Sequence, residues 1–208
     1  TEPTLLTAAS SSGTIACFSG TTSVSVSGAG GIAPYTGTGS FTVGAGSYSY
    51  TVTDANGCTV VTNITVAEPT LLTSNATPSP ALCNGAATGS VVVNGAGGTA
   101  PYTGTGTFSN LAAGSYSYTV TDANGCTSVV SANVTEPTLL TAASSSGAIA
   151  CFGGTSSVNV SGSGGTAPYS GTGSFTVGAG SYSYTVTDAN GCTVVTNITV
   201  AEPTLLTS

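Results

Sequence analysis

Six cysteines and seven carboxylates are the side chains of this 208-residue sequence whose chemistry stands out, because Lys, Arg and His are absent and the net charge is −7. The cysteines come in spaced pairs: Cys17 and Cys58, Cys83 and Cys126, Cys151 and Cys192. Their even count and regular placement favour one disulfide inside each pair. Closing a loop of about 42 residues would contribute roughly 4 kcal/mol by loop entropy. Zinc is disfavoured, since there is no His and no Cys-x-x-Cys spacing. Disulfides place the chain outside the cytosol.

The carboxylates recur in two motifs. Asp54, Asp122 and Asp188 lie in Thr-Asp-Ala-Asn-Gly-Cys, and Glu2, Glu68, Glu136 and Glu202 open Glu-Pro-Thr-Leu-Leu-Thr. Catalysis is not expected. A glycosidase pair needs carboxylates about 5 to 10 Å apart, whereas Asp54 and Glu68 bracket a strand spanning roughly 30 Å. No basic side chain is available as an acid or base. A metal reading has more substance. If each Asp loop lies at the entry end of its unit, Asp54 faces Glu2, Asp122 faces Glu68 and Asp188 faces Glu136. Calcium, completed by backbone and Asn oxygens, suits such a pair. The plainer reading is that Asp caps a turn and Glu is a solvated linker charge. No other cofactor is expected. Tyr35, Tyr102 and Tyr169, each after a Pro, are candidate ligand contacts for glycan or, more simply, packing groups.

The elements that must position these groups are repeated. The Glu-Pro motifs recur every 66 to 68 residues, which is long enough for each unit to be a small domain. The expected boundaries are 2–67, 68–135 and 136–201, with 202–208 opening a fourth repeat. Within the first, Pro3–Thr7 reads as an opening strand and Ala8–Gly13 as a loose connection. Ser23-Val24-Ser25-Val26-Ser27 alternates strictly, which predicts a half-buried strand. Ala33-Pro34-Tyr35 reads as extended, Phe41 and Val43 mark a short strand, and Gly46–Val52 puts Tyr48, Tyr50 and Val52 on one face. Asp54-Ala55-Asn56-Gly57 predicts a hairpin loop before a return strand over Cys58–Val66. Six or seven short strands without helical periodicity predict an all-β fold, a tandem array of small immunoglobulin-like Greek-key β-sandwiches with one disulfide each. Tyr48, Tyr116 and Tyr182 sit where a tyrosine corner would place them. Val66-Ala67-Glu68-Pro69-Thr70 leaves almost no slack between repeats, so successive sandwiches are expected nearly end to end.

Composition excludes partners as well. A surface without Lys or Arg repels nucleic acid, because phosphate binding needs cations to release counterions. It has nothing with which to hold acidic lipids, and its apolar runs are too short for membrane insertion.

Several motifs together resemble the SprB repeat: Cys83-Asn84-Gly85, Ala100-Pro101-Tyr102-Thr103, Leu111–Tyr116, Thr119–Cys126 and Glu136-Pro137. Cys-Phe-Ser-Gly at Cys17 and Cys-Phe-Gly-Gly at Cys151 depart from the Cys-Asn-Gly type. The resemblance implies an immunoglobulin-like module repeated in very long adhesion or gliding proteins at the surface of Bacteroidota, with no catalytic residues. The function expected is therefore a non-enzymatic extracellular stalk or filament. Its partners would be neighbouring repeats and other copies in a filament. The alternative is a repeat that itself binds glycan or an abiotic surface by avidity.

Overall fold

A computed structural model describes residues 2–206; Thr1 and residues 207–208, the last of the expected fourth repeat, lie outside the described residues. Five strands recur three times, with no helix among the described residues. The first set is β1 (Thr7–Ser12), β2 (Thr22–Ala29), β3 (Gly39–Val43), β4 (Gly46–Thr53) and β5 (Thr59–Val66). The second is β6 (Thr73–Ser79), β7 (Gly89–Ala96), β8 (Gly106–Leu111), β9 (Gly114–Thr121) and β10 (Thr127–Val134). The third is β11 (Thr141–Ser146), β12 (Ser156–Ser163), β13 (Gly173–Val177), β14 (Gly180–Thr187) and β15 (Thr193–Val200). Each set forms a three-stranded sheet, in the order β1-β2-β3, and a separate two-stranded sheet, β4-β5. The fold is thus all-β and sandwich-like, as its alternation pattern predicts.

The described chain divides into two compact units. One holds the residues up to Ala76 with Val93–Gly106 and Ser117–Val130; the other holds Thr77–Val92, Thr107–Tyr116 and Ser131 onward. In the first unit, Val24 and Val26 of β2 meet Val52 of β4 and Val66 of β5, with Ile15 completing the buried cluster. Tyr35, Phe41, Tyr48 and Tyr50 pack around it. The strict Ser/Val alternation of β2 puts both valines inside and the serines outside. In the second unit Ile149, Val158, Val160, Val186 and Val200 repeat the arrangement. The corner tyrosines behave as their positions predict. Each hydroxyl donates to a carbonyl four residues upstream: Tyr48 to Gly44 at 3.1 Å, Tyr116 to Ala112 at 2.9 Å and Tyr182 to Gly178 at 3.1 Å.

Two expectations need correction. The opening strand is not Pro3–Thr7 but Thr7–Ser12, which pairs antiparallel with β2 from Thr7↔Ala29 to Ser12↔Val24. Its small residues allow a close approach to β5, where the Ser10 and Thr62 hydroxyls bond at 2.9 Å. The apolar pair Leu5-Leu6 instead belongs to an entry strap, with the Thr4 carbonyl accepting from Gly31 N at 2.8 Å and Leu6 buried. Nor does Ala33-Pro34-Tyr35 add a sixth strand. It is a loop containing a cis Ala33–Pro34 bond, and an isolated bridge, Thr36↔Thr53, rather than a strand ladder joins it to β4.

Candidate functional site

The end of each repeat where the chain enters is organised by its aspartate. Asp54 closes the β4–β5 turn: one carboxylate oxygen accepts from Asn56 N at 3.0 Å and Cys58 N at 2.9 Å. The other accepts from Ile32 N at 3.0 Å, in the loop after β2. Asp122 and Asp188 make the same three contacts, to Asn124, Cys126 and Thr99, and to Asn190, Cys192 and Thr166. All three aspartates are buried. The Ile32 N–H, which outweighs burial, and the N–H groups of the turn hold the Asp54 carboxyl below its ordinary value. For Asp122 and Asp188 burial is the largest single influence and opposes ionisation. The backbone donors together prevail, and both carboxyls are again lowered. With its carboxylate satisfied, the turn aims the Asn amide and the Cys sulfur outward.

What they meet is the exit end of the preceding repeat. Cys126 is bonded to Cys17, with a Cα separation of 5.7 Å, and Cys192 to Cys83, at 5.8 Å. Each disulfide therefore lies within one compact unit but joins two successive repeats. The expected pairing of Cys17 with Cys58, Cys83 with Cys126 and Cys151 with Cys192 is overturned. The reason is geometric. Cys58 adjoins the first residue of β5 at the entry end, whereas Cys17 lies beyond β1 near the residues that face Val66, at the opposite end. Eight strand residues span roughly 26 Å, and a disulfide needs Cα atoms within about 7 Å. Beside each bridge the Asn amide donates across the joint: Asn124 Nδ2 to the Ala16 carbonyl and Asn190 Nδ2 to the Leu82 carbonyl, both at 2.9 Å. Cys58 and Cys151 are unpaired and exposed.

The glutamates serve the exit end. Glu68 accepts from Ser19 N at 2.6 Å, Glu136 from Gly85 N at 2.6 Å and Glu202 from Gly153 N at 2.7 Å. In each case the donor lies two residues after the first cysteine of the preceding repeat. Its backbone has a positive φ of 59° at Ser19, 73° at Gly85 and 74° at Gly153. Glu136 also accepts from Asn84 Nδ2 at 3.0 Å. The linker glutamate thus pins the Pro strap to the loop that carries the first cysteine of the preceding repeat, which is a bridging cysteine at Cys17 and Cys83.

Residues 75–103 match the SprB repeat. The matched stretch contains two of the motifs that carried the resemblance, Cys83-Asn84-Gly85 and Ala100-Pro101-Tyr102-Thr103. None of the curated proteins matches the chain. Within the matched residues Cys83 and Gly85 are joint residues: the first forms the bridge and the second holds Glu136.

The pairs expected to share calcium are Glu2 with Asp54, Glu68 with Asp122 and Glu136 with Asp188. Each Asp is bound by N–H groups of its own turn and by one from the loop after the second strand of its repeat, while Glu68 and Glu136 are bound by the preceding cysteine loop. Among the described residues there is no cluster of three or more His, Cys, Asp or Glu side chains able to hold a metal. Tyr35, Tyr102 and Tyr169 are half-buried, and each hydroxyl donates at 2.6 Å to a glycine carbonyl five residues earlier: Gly30, Gly97 and Gly164. Their rings cover Gly28, Gly95 and Gly162, where a Cβ would lie 3.2–3.3 Å from the ring. The residue type that sequence reasoning passed over is the Asn of Asp-Ala-Asn-Gly. The sequence offers it as a turn former or a calcium oxygen donor, and the identical spacing of Asn and Cys in every repeat is the signal for its place at the joint.

Proposed function

We propose that the chain is a load-bearing structural array of an extracellular adhesin, stalk or filament, whose joints are locked covalently. The observation that carries this reading is the leapfrog pairing, Cys17 with Cys126 and Cys83 with Cys192. The two closed loops overlap. A single backbone cut anywhere from Cys17 to Cys192 therefore leaves both parts covalently attached. The absence of Lys and Arg removes trypsin-type cleavage sites. The resemblance to a surface adhesin repeat supports the placement outside the cell, and so do disulfides in themselves.

Under tension the shortest covalent route runs from the start to Cys17, across to Cys126, back to Cys83 and across to Cys192. At about 3.4 Å per residue that route is roughly 260 Å long, against roughly 700 Å for the whole contour. Single-molecule stretching of the oxidised chain by its ends is expected to stop near the shorter length and to reach the longer one after reduction. An oxidised chain that extends to the full contour would contradict load bearing by the bridges. The structural reading also predicts that the chain is inert on a glycan array. Saturable binding there would favour a binding role for the repeats.

A further inference from the structure

Loop entropy works against the bridges this molecule has. Each spans 109 residues, whereas Cys58 and Cys83, or Cys126 and Cys151, are 25 apart and Cys17 and Cys58 are 41 apart. Closure falls as roughly the three-halves power of loop length, so an unfolded chain closes the shortest loops about ninefold more readily, and the Cys17–Cys58 loop about fourfold more readily. The observed pairing therefore needs a contact that brings the right thiols together before oxidation. Each joint contains one. Asn124 Nδ2 donates to the Ala16 carbonyl at 2.9 Å, Cys126 Sγ lies 3.4 Å from that same oxygen, and the residue after Ala16 is Cys17. At the second joint Asn190 Nδ2 lies 2.9 Å and Cys192 Sγ 3.4 Å from the Leu82 carbonyl, next to Cys83. The amide is also aimed from its own repeat: Asn124 Nδ2 donates to Thr99 Oγ1 and Asn190 Nδ2 to Thr166 Oγ1, both at 3.1 Å. Opposite, Glu68 and Glu136 hold the loops of Cys17 and Cys83.

We infer that Asn124 and Asn190 are positioning residues for disulfide formation. The turn docks through its Asn amide while the cysteines are still thiols, and this dock, rather than loop length, selects the partner. The oxidant is a small-molecule disulfide such as oxidised glutathione. One docked thiolate attacks it and expels one glutathione thiolate; the opposing Cys thiolate then attacks the protein sulfur of the mixed disulfide and expels the second. Two protein thiols are oxidised as one S–S bond forms, and the oxidant, taking up their two protons, ends as two glutathione thiols. Asn124 takes no part in the exchange itself; it acts by holding Cys126 where Cys17 can reach it.

This inference rests on the cross-joint pairing that carries the structural reading, and its test uses the full chain. The chain is reduced, refolded, exposed to oxidised glutathione and quenched by alkylation at intervals, and its bridges are measured by mass spectrometry. In native buffer Cys17–Cys126 and Cys83–Cys192 are expected to lead, and in concentrated urea the short loops. With Asn124→Ala, Cys17–Cys126 forms about fivefold more slowly, the worth of one hydrogen bond, while Cys83–Cys192 keeps its rate; Asn190→Ala gives the reverse. Asn124→Asp separates docking from turn formation. Aspartate suits the turn as Asn does but presents only acceptors to the Ala16 carbonyl, so it slows the same bridge at least as much as Ala. Short loops leading in native buffer, equal slowing of both bridges, no slowing with Asn124→Ala, or a wild-type rate with Asn124→Asp would each overturn the proposal. If both cross-joint bridges form at the wild-type rate in every variant, positioning fails and the structural reading survives; bridges within repeats as the final product would sink both.

Discussion

At the scale of single residues, the aspartates and tyrosines show how a nearly uncharged chain secures its ends. Each aspartate has a folded pKa below its ordinary value of 3.8. Its stabilising contribution is therefore complete above that value and is lost as pH falls through the folded pKa. Thermal melts are expected to be flat from pH 7 to about 5 and to fall below about pH 3.8, and Asp122→Asn should flatten that fall. A melting temperature that rose toward pH 3 would contradict the carboxylate's role. The tyrosines give a paired test on one strand. Tyr48→Phe removes the bond to Gly44 and should cost about 1 kcal/mol, whereas the buried Tyr50 hydroxyl has no hydrogen-bond partner among the described residues, so Tyr50→Phe should be neutral or slightly stabilising. Chemical denaturation of the two variants separates these outcomes. The turn-capping contacts of Asp and the tyrosine corner were both legible in the sequence, because each depends on local spacing; the second Asp contact, to Ile32 N in the loop after β2, was not. The packing of Tyr35 was less legible: Gly30 and Gly28 lie only five and seven residues upstream, but the segment between them and the ring is a loop with no residue period to fix where the ring points.

At the scale of elements, alternation specified the strands that carry apolar residues and misled where it was absent. Val24 and Val26 in β2, and Tyr48, Tyr50 and Val52 in β4, face inward as their period requires. β1 was illegible because Ala-Ala-Ser-Ser-Ser carries almost no hydrophobic signal; its place is set by pairing with β2 and by the room beside β5. The loop after the first cysteine holds a further test. Ser19 has a φ of 59°, in the left-handed region, at the position where the other repeats have Gly85 and Gly153. Ser19→Gly should stabilise by about 1 kcal/mol, because glycine carries no Cβ penalty there and the N–H to Glu68 is retained. A shift of the denaturation midpoint to lower denaturant would show that the serine side chain contributes more than its strain costs.

At the scale of the whole molecule, periodicity declared three repeats but could not say which cysteines meet. Equal numbers in every repeat favour bridges within repeats, yet bridges across joints arise from the same spacing and leave Cys58 and Cys151 free. The ends of the strands decide between them: a hairpin turn at the entry end and a loop at the exit end cannot touch within one small sandwich. The central claim is that the bridges tie each repeat to the next, and one digestion tests it. The oxidised chain is alkylated, denatured without reductant and cut on the N-terminal side of Asp54, Asp122 and Asp188. The pairing seen here predicts two disulfide-linked species, residues 1–53 with 122–187 and residues 54–121 with 188–208. A single species holding all four fragments would show bridges within repeats and contradict the account.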